Sequence, residues 1–153
     1  MKWRCLLGLI VIGASVGPAA FGQAALTILG NPTINIQTAA DRQNGMTISQ
    51  ETVDITGQNG RTITFQVRAS GNLISGANSI PLSTLFMQII SPSGLTGGEI
   101  QVSTANQTLL TKKLTGSLSK QPLLIQYRLA PSAALSGPVG AYTTTLTFTI
   151  SQL

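Results

Sequence analysis

Histidine is absent from this chain, and cysteine occurs once, at position 5. The commonest general base and, beyond that position, the thiolate nucleophile are therefore missing. The carboxylates are Asp41, Glu51, Asp54 and Glu99. A glycosidase needs two of them facing each other across a cleft. Glu51 and Asp54 stand three apart, which on a regular strand sends them to opposite faces. A divalent-metal site meets the same shortage of ligands, leaving only a weak Ca²⁺ arrangement of Asp41 with backbone carbonyls. No motif announces a Ser–Lys dyad. The residue types thus argue against an enzyme and imply no cofactor and no metal.

Charge is also scarce, at 8% of residues. Arg42, Arg61, Arg68, Lys112, Lys113, Lys120 and Arg128 are scattered, with no basic run interleaved with aromatics, so nucleic acid is not an expected partner. Lys112-Lys113 reads as a solvated strand edge, where charge discourages unwanted pairing. The Gly-rich stretches lack the strand–Gly–Lys–helix context of a phosphate loop and read as turns. Long apolar runs are missing too. The longest, "CLLGLIVIGASV" (Cys5 to Val16), has 12 residues and is too short to cross a bilayer as a helix. Lys2 and Arg4 precede it. "GPAAFGQA" follows, placing Gly22 and Ala24 at −3 and −1 of a cleavage site. This is the pattern of a secretory signal peptide over residues 1–24. Cys5 opens the apolar run rather than following it, so a lipidated cysteine is not indicated.

Cleavage after Ala24 leaves residues 25–153 as a single domain with no membrane segment. That domain carries seven basic and four acidic residues, a net charge of +3, and no cysteine. An exported chain without disulfides has to rely on an ordinary packed core.

What is present is alternation. In "RTITFQVRA", Ile63, Phe65, Val67 and Ala69 share one face while Thr62, Thr64, Gln66 and Arg68 share the other. "LLIQYRL" repeats the device with Leu123, Ile125, Tyr127 and Leu129. In "AYTTTLTFTI", Tyr142, Thr144, Leu146, Phe148 and Ile150 alternate with Thr143, Thr145, Thr147 and Thr149. Period-two patterns of β-branched and aromatic residues predict half-buried strands. Shorter strands are expected over 52–56, 85–90 and 99–103, and a helical turn over "SAAL" at 132–135. Turn signals punctuate them, among them Asn44-Gly45, Asn59-Gly60, Ser75-Gly76 and Gly97-Gly98. Many short strands with regular punctuation predict an all-β, antiparallel sandwich. Tyr127 and Tyr142 fall on inward faces and should pack in the core with a bonded hydroxyl.

The segment following the cleavage site, "ALTILGNPTINIQT", is one-sided as well. Leu26, Ile28, Gly30, Ile34 and Ile36 share its even positions. Pro32 cannot donate to a ladder and must sit at an edge, a kink or a switch between sheets.

The C-terminal stretch resembles that of bacterial chaperone–usher pilus subunits. Those chains carry a Gly fourteen residues from the end and then alternating apolar residues. Gly140 stands at that position, and Leu146, Phe148 and Ile150 continue the alternation. Gln152 occupies the penultimate place, where the family usually has an aromatic. The "GAYTTTLTFTI" stretch is also similar to the ends of other secreted bacterial surface sandwiches. The pilus resemblance implies an immunoglobulin-like (pilin-like) sandwich lacking one strand, completed by a neighbour's N-terminal segment. The groove would be lined by Gly140, Tyr142, Leu146, Phe148 and Ile150, and the donor strand would offer Leu26, Ile28, Gly30, Ile34 and Ile36. It further implies self-association or association with other surface subunits, and a periplasmic chaperone and usher. The chaperone would contact the Leu153 carboxylate during secretion to the cell surface. From the residues alone, residues 25–38 could equally be a first strand that changes sheet at Pro32, and the last strand an ordinary core strand. The alternative function is a secreted glycan- or cell-wall-binding module, for which the mature chain offers only Phe65, Phe86, Phe148, Tyr127 and Tyr142 as aromatics.

Overall fold

The structure, a computed structural model, describes residues 5–16 by their backbone and residues 24–137 and 141–153 in full. Gly140, and Lys2, Arg4 and Gly22 of the expected leader, lie outside the described residues.

Alternating segments become strands, and the strands form two sheets that share one core. The first sheet has the order β2 (Ala25–Ile28), β4 (Met46–Gly57), β11 (Leu118–Leu129), β8 (Leu85–Ser91) and β9 (Ile100–Gln101), all antiparallel. The second has the order β10 (Gln107–Lys113), β5 (Thr62–Ala69), β12 (Tyr142–Gln152), β1 (Cys5–Val16) and β3 (Thr33–Ile36). A small hairpin, β6 (Leu73–Ser75) and β7 (Asn78–Ile80), joins it beside the start of β12. Pairing in this sheet is antiparallel except between β1 and β12, which run parallel. An all-β sandwich is therefore the architecture, as the alternation predicts.

The inward faces follow the sequence periodicity. Ile63, Phe65 and Val67 of β5, Leu123, Ile125, Tyr127 and Leu129 of β11, and Leu146, Phe148 and Ile150 of β12 are buried. The Phe65 and Phe148 rings stack with centroids 5.5 Å apart and planes 3° from parallel. They are diagonal neighbours, because Phe65 pairs with Ile150 and Phe148 with Val67. The expected helical turn forms as a 3₁₀ turn at Ala133–Ser136, with the Ser132 hydroxyl accepting from the Ala134 N–H at 3.2 Å.

Residues 25–36 divide between the sheets. Leu26 pairs with Ile55 and Ile28 with Val53 in the first sheet, and the Leu29 N–H donates to the Thr52 carbonyl at 2.8 Å. After the buried Pro32 the chain joins the second sheet as β3. Proline's missing donor suits a place where the ladder must be interrupted anyway.

Two local features depart from the sequence reading. A six-residue helix, α1 (Ala39–Asn44), follows β3. Its capping box was legible as Thr38-Ala39-Ala40-Asp41. The Thr38 hydroxyl accepts from the Asp41 N–H at 3.1 Å, and the Asp41 carboxylate accepts from the Thr38 N–H at 2.7 Å. In β4, the pairs Val53–Leu123 and Glu51–Leu124 leave Thr52 as an extra residue, a β-bulge. The bulge reverses the alternation. Glu51 opposite Leu124 and Asp54 opposite Pro122 both fall on the outer face, since Leu123 and Ile125 point inward. The expected separation of these two carboxylates to opposite faces is thereby corrected: one inserted residue restores the same side.

Candidate strand-pairing interface

β12 lies inside its sheet, so both its edges need hydrogen-bond partners. β5 satisfies one edge with seven paired positions, from Leu146–Ala69 to Gln152–Ile63. Further up the strand, the Thr145 carbonyl accepts from the Ser70 N–H at 2.8 Å, and its N–H donates to the Ser70 hydroxyl at 3.2 Å. Main-chain groups of successive strand residues point to opposite edges. Thr145 faces the β5 side, and Thr144, Leu146, Phe148 and Ile150 therefore face the other. That second edge is met by β1, in the register Leu7–Tyr142, Leu9–Thr144, Val11–Leu146, Ala14–Phe148 and Val16–Ile150, with an irregularity between Val11 and Ala14.

On its far side β1 pairs antiparallel with β3, matching Cys5 with Ile36, Leu6 with Asn35, Leu7 with Ile34 and Gly8 with Thr33. Among the described strands β3 has no other partner. The sheet thus contains a strand-wide slot with β12 as one wall and β3 as the other, and residues 5–16 fill it. Of the positions singled out by sequence, Ile34 and Ile36 on β3 and Tyr142, Leu146, Phe148 and Ile150 on β12 are brought together as the two walls. All six are buried with β1 in place. Leu26, Ile28 and Gly30 are elsewhere, at the edge of the first sheet, with Leu26 and Ile28 packed against the core. A Cβ on Gly30 would come within 2.9 Å of Gln50 Nε2, so that side chain would have to move. The segment expected as a donor is built into its own domain here, with one half, β3, forming a wall of the slot.

Sequence reasoning missed β1 as a strand. The run "LIVI" inside it carries the β-branched signal, but the surrounding leader pattern is equally legible. The C-terminus is also paired: the Leu153 N–H donates to the Thr62 carbonyl at 2.9 Å, and its carbonyl accepts from the Thr62 N–H at 2.9 Å.

Several polar groups outside the slot are committed to structure. Asp41 accepts from the Gln37 and Thr38 N–H groups, which hold its carboxyl below the usual carboxylate range. That carboxylate caps α1. Arg128 forks onto Glu99 at 2.6 and 2.8 Å, which lowers the Glu99 pKa and raises that of Arg128. Both side chains are about one-third exposed (35% and 34%), so the pair contributes about 0–1 kcal/mol. The same guanidinium lies 4.2 Å from the centre of the Phe86 ring. Among the aromatics of residues 24–153, Phe86 is half-buried, while Phe65, Phe148, Tyr127 and Tyr142 are buried. Lys112 and Lys113 stand exposed on the edge strand β10.

The Tyr127 hydroxyl donates to Thr52 Oγ1 at 2.7 Å inside the core, and Thr52 Oγ1 donates in turn to the Gln50 carbonyl at 3.3 Å. Burial pushes the Tyr127 phenol up, with the Thr52 bond acting in the opposite sense. This chain of bonds satisfies the hydroxyl at the bulge. Tyr127→Phe is expected to cost about 1 kcal/mol, the net value of one buried hydrogen bond. Urea unfolding of the two proteins would show it as a lower midpoint with an unchanged slope.

Comparison of the chain with protein-family models and with curated proteins finds no match.

Proposed function

We propose that this chain is an exported structural subunit of a bacterial surface assembly, built as an immunoglobulin-like sandwich that lacks one strand once residues 1–24 are removed. In this reading a neighbouring chain supplies the missing strand. The observation that carries it is the slot between β12 and β3, which among the described residues is filled by the segment bearing the pattern of a secretory leader.

The strand order supports the immunoglobulin-like assignment. β2-β4-β11-β8 runs in the order A-B-E-D, and β5-β12-β1 occupies the positions C-F-G. The strand in the last position runs parallel to β12, whereas the final strand of an immunoglobulin sandwich runs antiparallel to its neighbour. A guest strand is free to enter in either direction, while a strand joined to β12 by a hairpin is not. With β1 gone, one edge of β12 and one edge of β3 would expose unpaired main-chain groups beside apolar side chains. Such an edge recruits another strand. The donor in this reading is residues 25–38 of the neighbour, so a chain that donates gives up its own β3 wall and receives its guest strand along the edge of β12. Their β3 half loses its strand partner when β1 leaves, and the β2 half is held by four pairs to β4.

The test is to export the chain in a bacterial host, recover the product that begins at Ala25, and run it on a denaturing gel with and without boiling. A ladder that collapses on heating is the expected result. Deleting residues 25–37 should remove the ladder and leave a chain that folds only with added strand peptide. A folded, monodisperse monomer beginning at Ala25 would overturn the proposal.

A further inference from the structure

We propose that the segment Cys5–Val16 serves, while still attached, as the in-cis occupant of the slot between β12 and β3, so that cutting the chain is what makes the slot available. This deepens the reading above and rests on it for the later arrival of a second chain. The occupancy itself rests on the backbone.

β1 pairs with both walls at once, through eight positions of β12 and four of β3. No other described strand bridges those walls. Tethering favours this arrangement. Eight residues separate Val16 from Ala25, the first residue of β2, and a short tether holds a strand at an effective concentration of roughly millimolar. A free strand from another chain at ordinary protein concentrations competes poorly with it. Cutting after Ala24 abolishes the advantage: the occupant becomes a separate peptide that dilutes away, and the two exposed edges become available. The segment would then act first as an address and then as a placeholder that delays assembly until processing.

The register supplies its own test, because Cys5, the chain's single cysteine, pairs with Ile36. Directly opposed residues on antiparallel strands have Cα atoms about 4.5–5.5 Å apart, within disulfide range. The full chain, made without export so that residues 1–24 are retained, should form an intramolecular disulfide in the Ile36→Cys variant under mild oxidation. Mass spectrometry of the bridged peptide would identify it. The Asn35→Cys variant shifts the partner by one residue to the other face and should not form it. Ile36 is a core residue, so a second pair guards against a folding failure: Leu6→Cys with Asn35→Cys in a Cys5→Ser background, where Asn35 is exposed.

The bridged chain, with a protease site placed within residues 17–24 and then cut there, should stay monomeric until a reductant releases the strand, and assemble afterwards. Absence of a bridge from both pairs, or equal bridging by the shifted control, overturns the placeholder inference, even if the cut chain still assembles. A bridge that forms in register, followed by a cut and reduced chain that remains a stable monomer, supports occupancy in cis and overturns the neighbour-strand reading instead.

Discussion

Phe148→Ala is expected to destabilise the chain by about 3–5 kcal/mol, the range for removing a large aromatic from a packed core. Phe148 has no exposed surface and stacks face to face on Phe65. Its strand pairs on one side with Val67 and on the other with Ala14, so the cavity opens where β5, β12 and β1 meet. Interiors are close-packed and relax only in part, so the loss includes both the transfer of the ring and the void left behind. Against a typical domain stability of about 5–15 kcal/mol, this is a large fraction. Phe148→Leu should recover a good part of it by refilling volume. Urea unfolding of the full chain, followed by far-ultraviolet circular dichroism, measures both. A loss below about 1 kcal/mol would mean that the β12 face is not packed as described.

Gly45→Ala should be damaging for a different reason. Gly45 ends α1 and leads into β4 with φ +74 and ψ −175. A side chain there meets two obstacles. The backbone conformation is one that L-residues rarely adopt, and the new Cβ would lie 2.2 Å from the Leu129 carbonyl oxygen and 3.1 Å from Pro131 Cδ. Leu129 belongs to β11, in the middle of the first sheet, so its carbonyl cannot retreat without disturbing the ladder. The expected cost is at least about 2 kcal/mol, from backbone strain and overpacking together. Gly60→Ala is the comparison: φ is +78, but nothing lies within 4 Å of the added Cβ, so only the conformational part remains. Thermal unfolding of the two variants side by side separates strain from collision. Equal midpoints would mean that the approach of Leu129 does not matter.

Much of the strand content is legible in residue type and spacing alone. In β5, β11 and β12 the alternation named the buried face residue by residue, because side chains on a strand alternate by simple geometry. The bonded hydroxyl of Tyr127 followed from placing it inward, although its partner Thr52 did not. Thr52 is 75 residues away and reaches the core only because a bulge turns it there. The same bulge explains why the faces of Glu51 and Asp54 were misjudged. An inserted residue leaves no mark in the pattern of a strand whose first half is only partly buried. The helix α1 was not expected from the sequence, because Thr38 and Asp41 are a short capping signal in a chain dominated by strand patterns.

The walls of the slot were half legible. Ile34, Ile36, Leu146, Phe148 and Ile150 announced themselves as apolar, one-sided residues. Whether each belonged to an insert or to a wall could not be read, because both obey the same period.

What the amino-acid sequence determined by itself is a two-faced, cysteine-poor set of strands, with Pro32 marking an interruption and with catalytic side chains in short supply. These properties are local: they depend on residue type and on spacing of one or two positions. The tertiary structure alone decided which strand lies beside which, that residues 25–36 divide between two sheets, and that the edge of β12 is met by Cys5–Val16. Strand edges offer nearly identical main-chain donors and acceptors whatever their side chains. Partner choice is therefore settled by the packing of the whole core, where β12 and β3 stand one strand apart with an apolar segment between them.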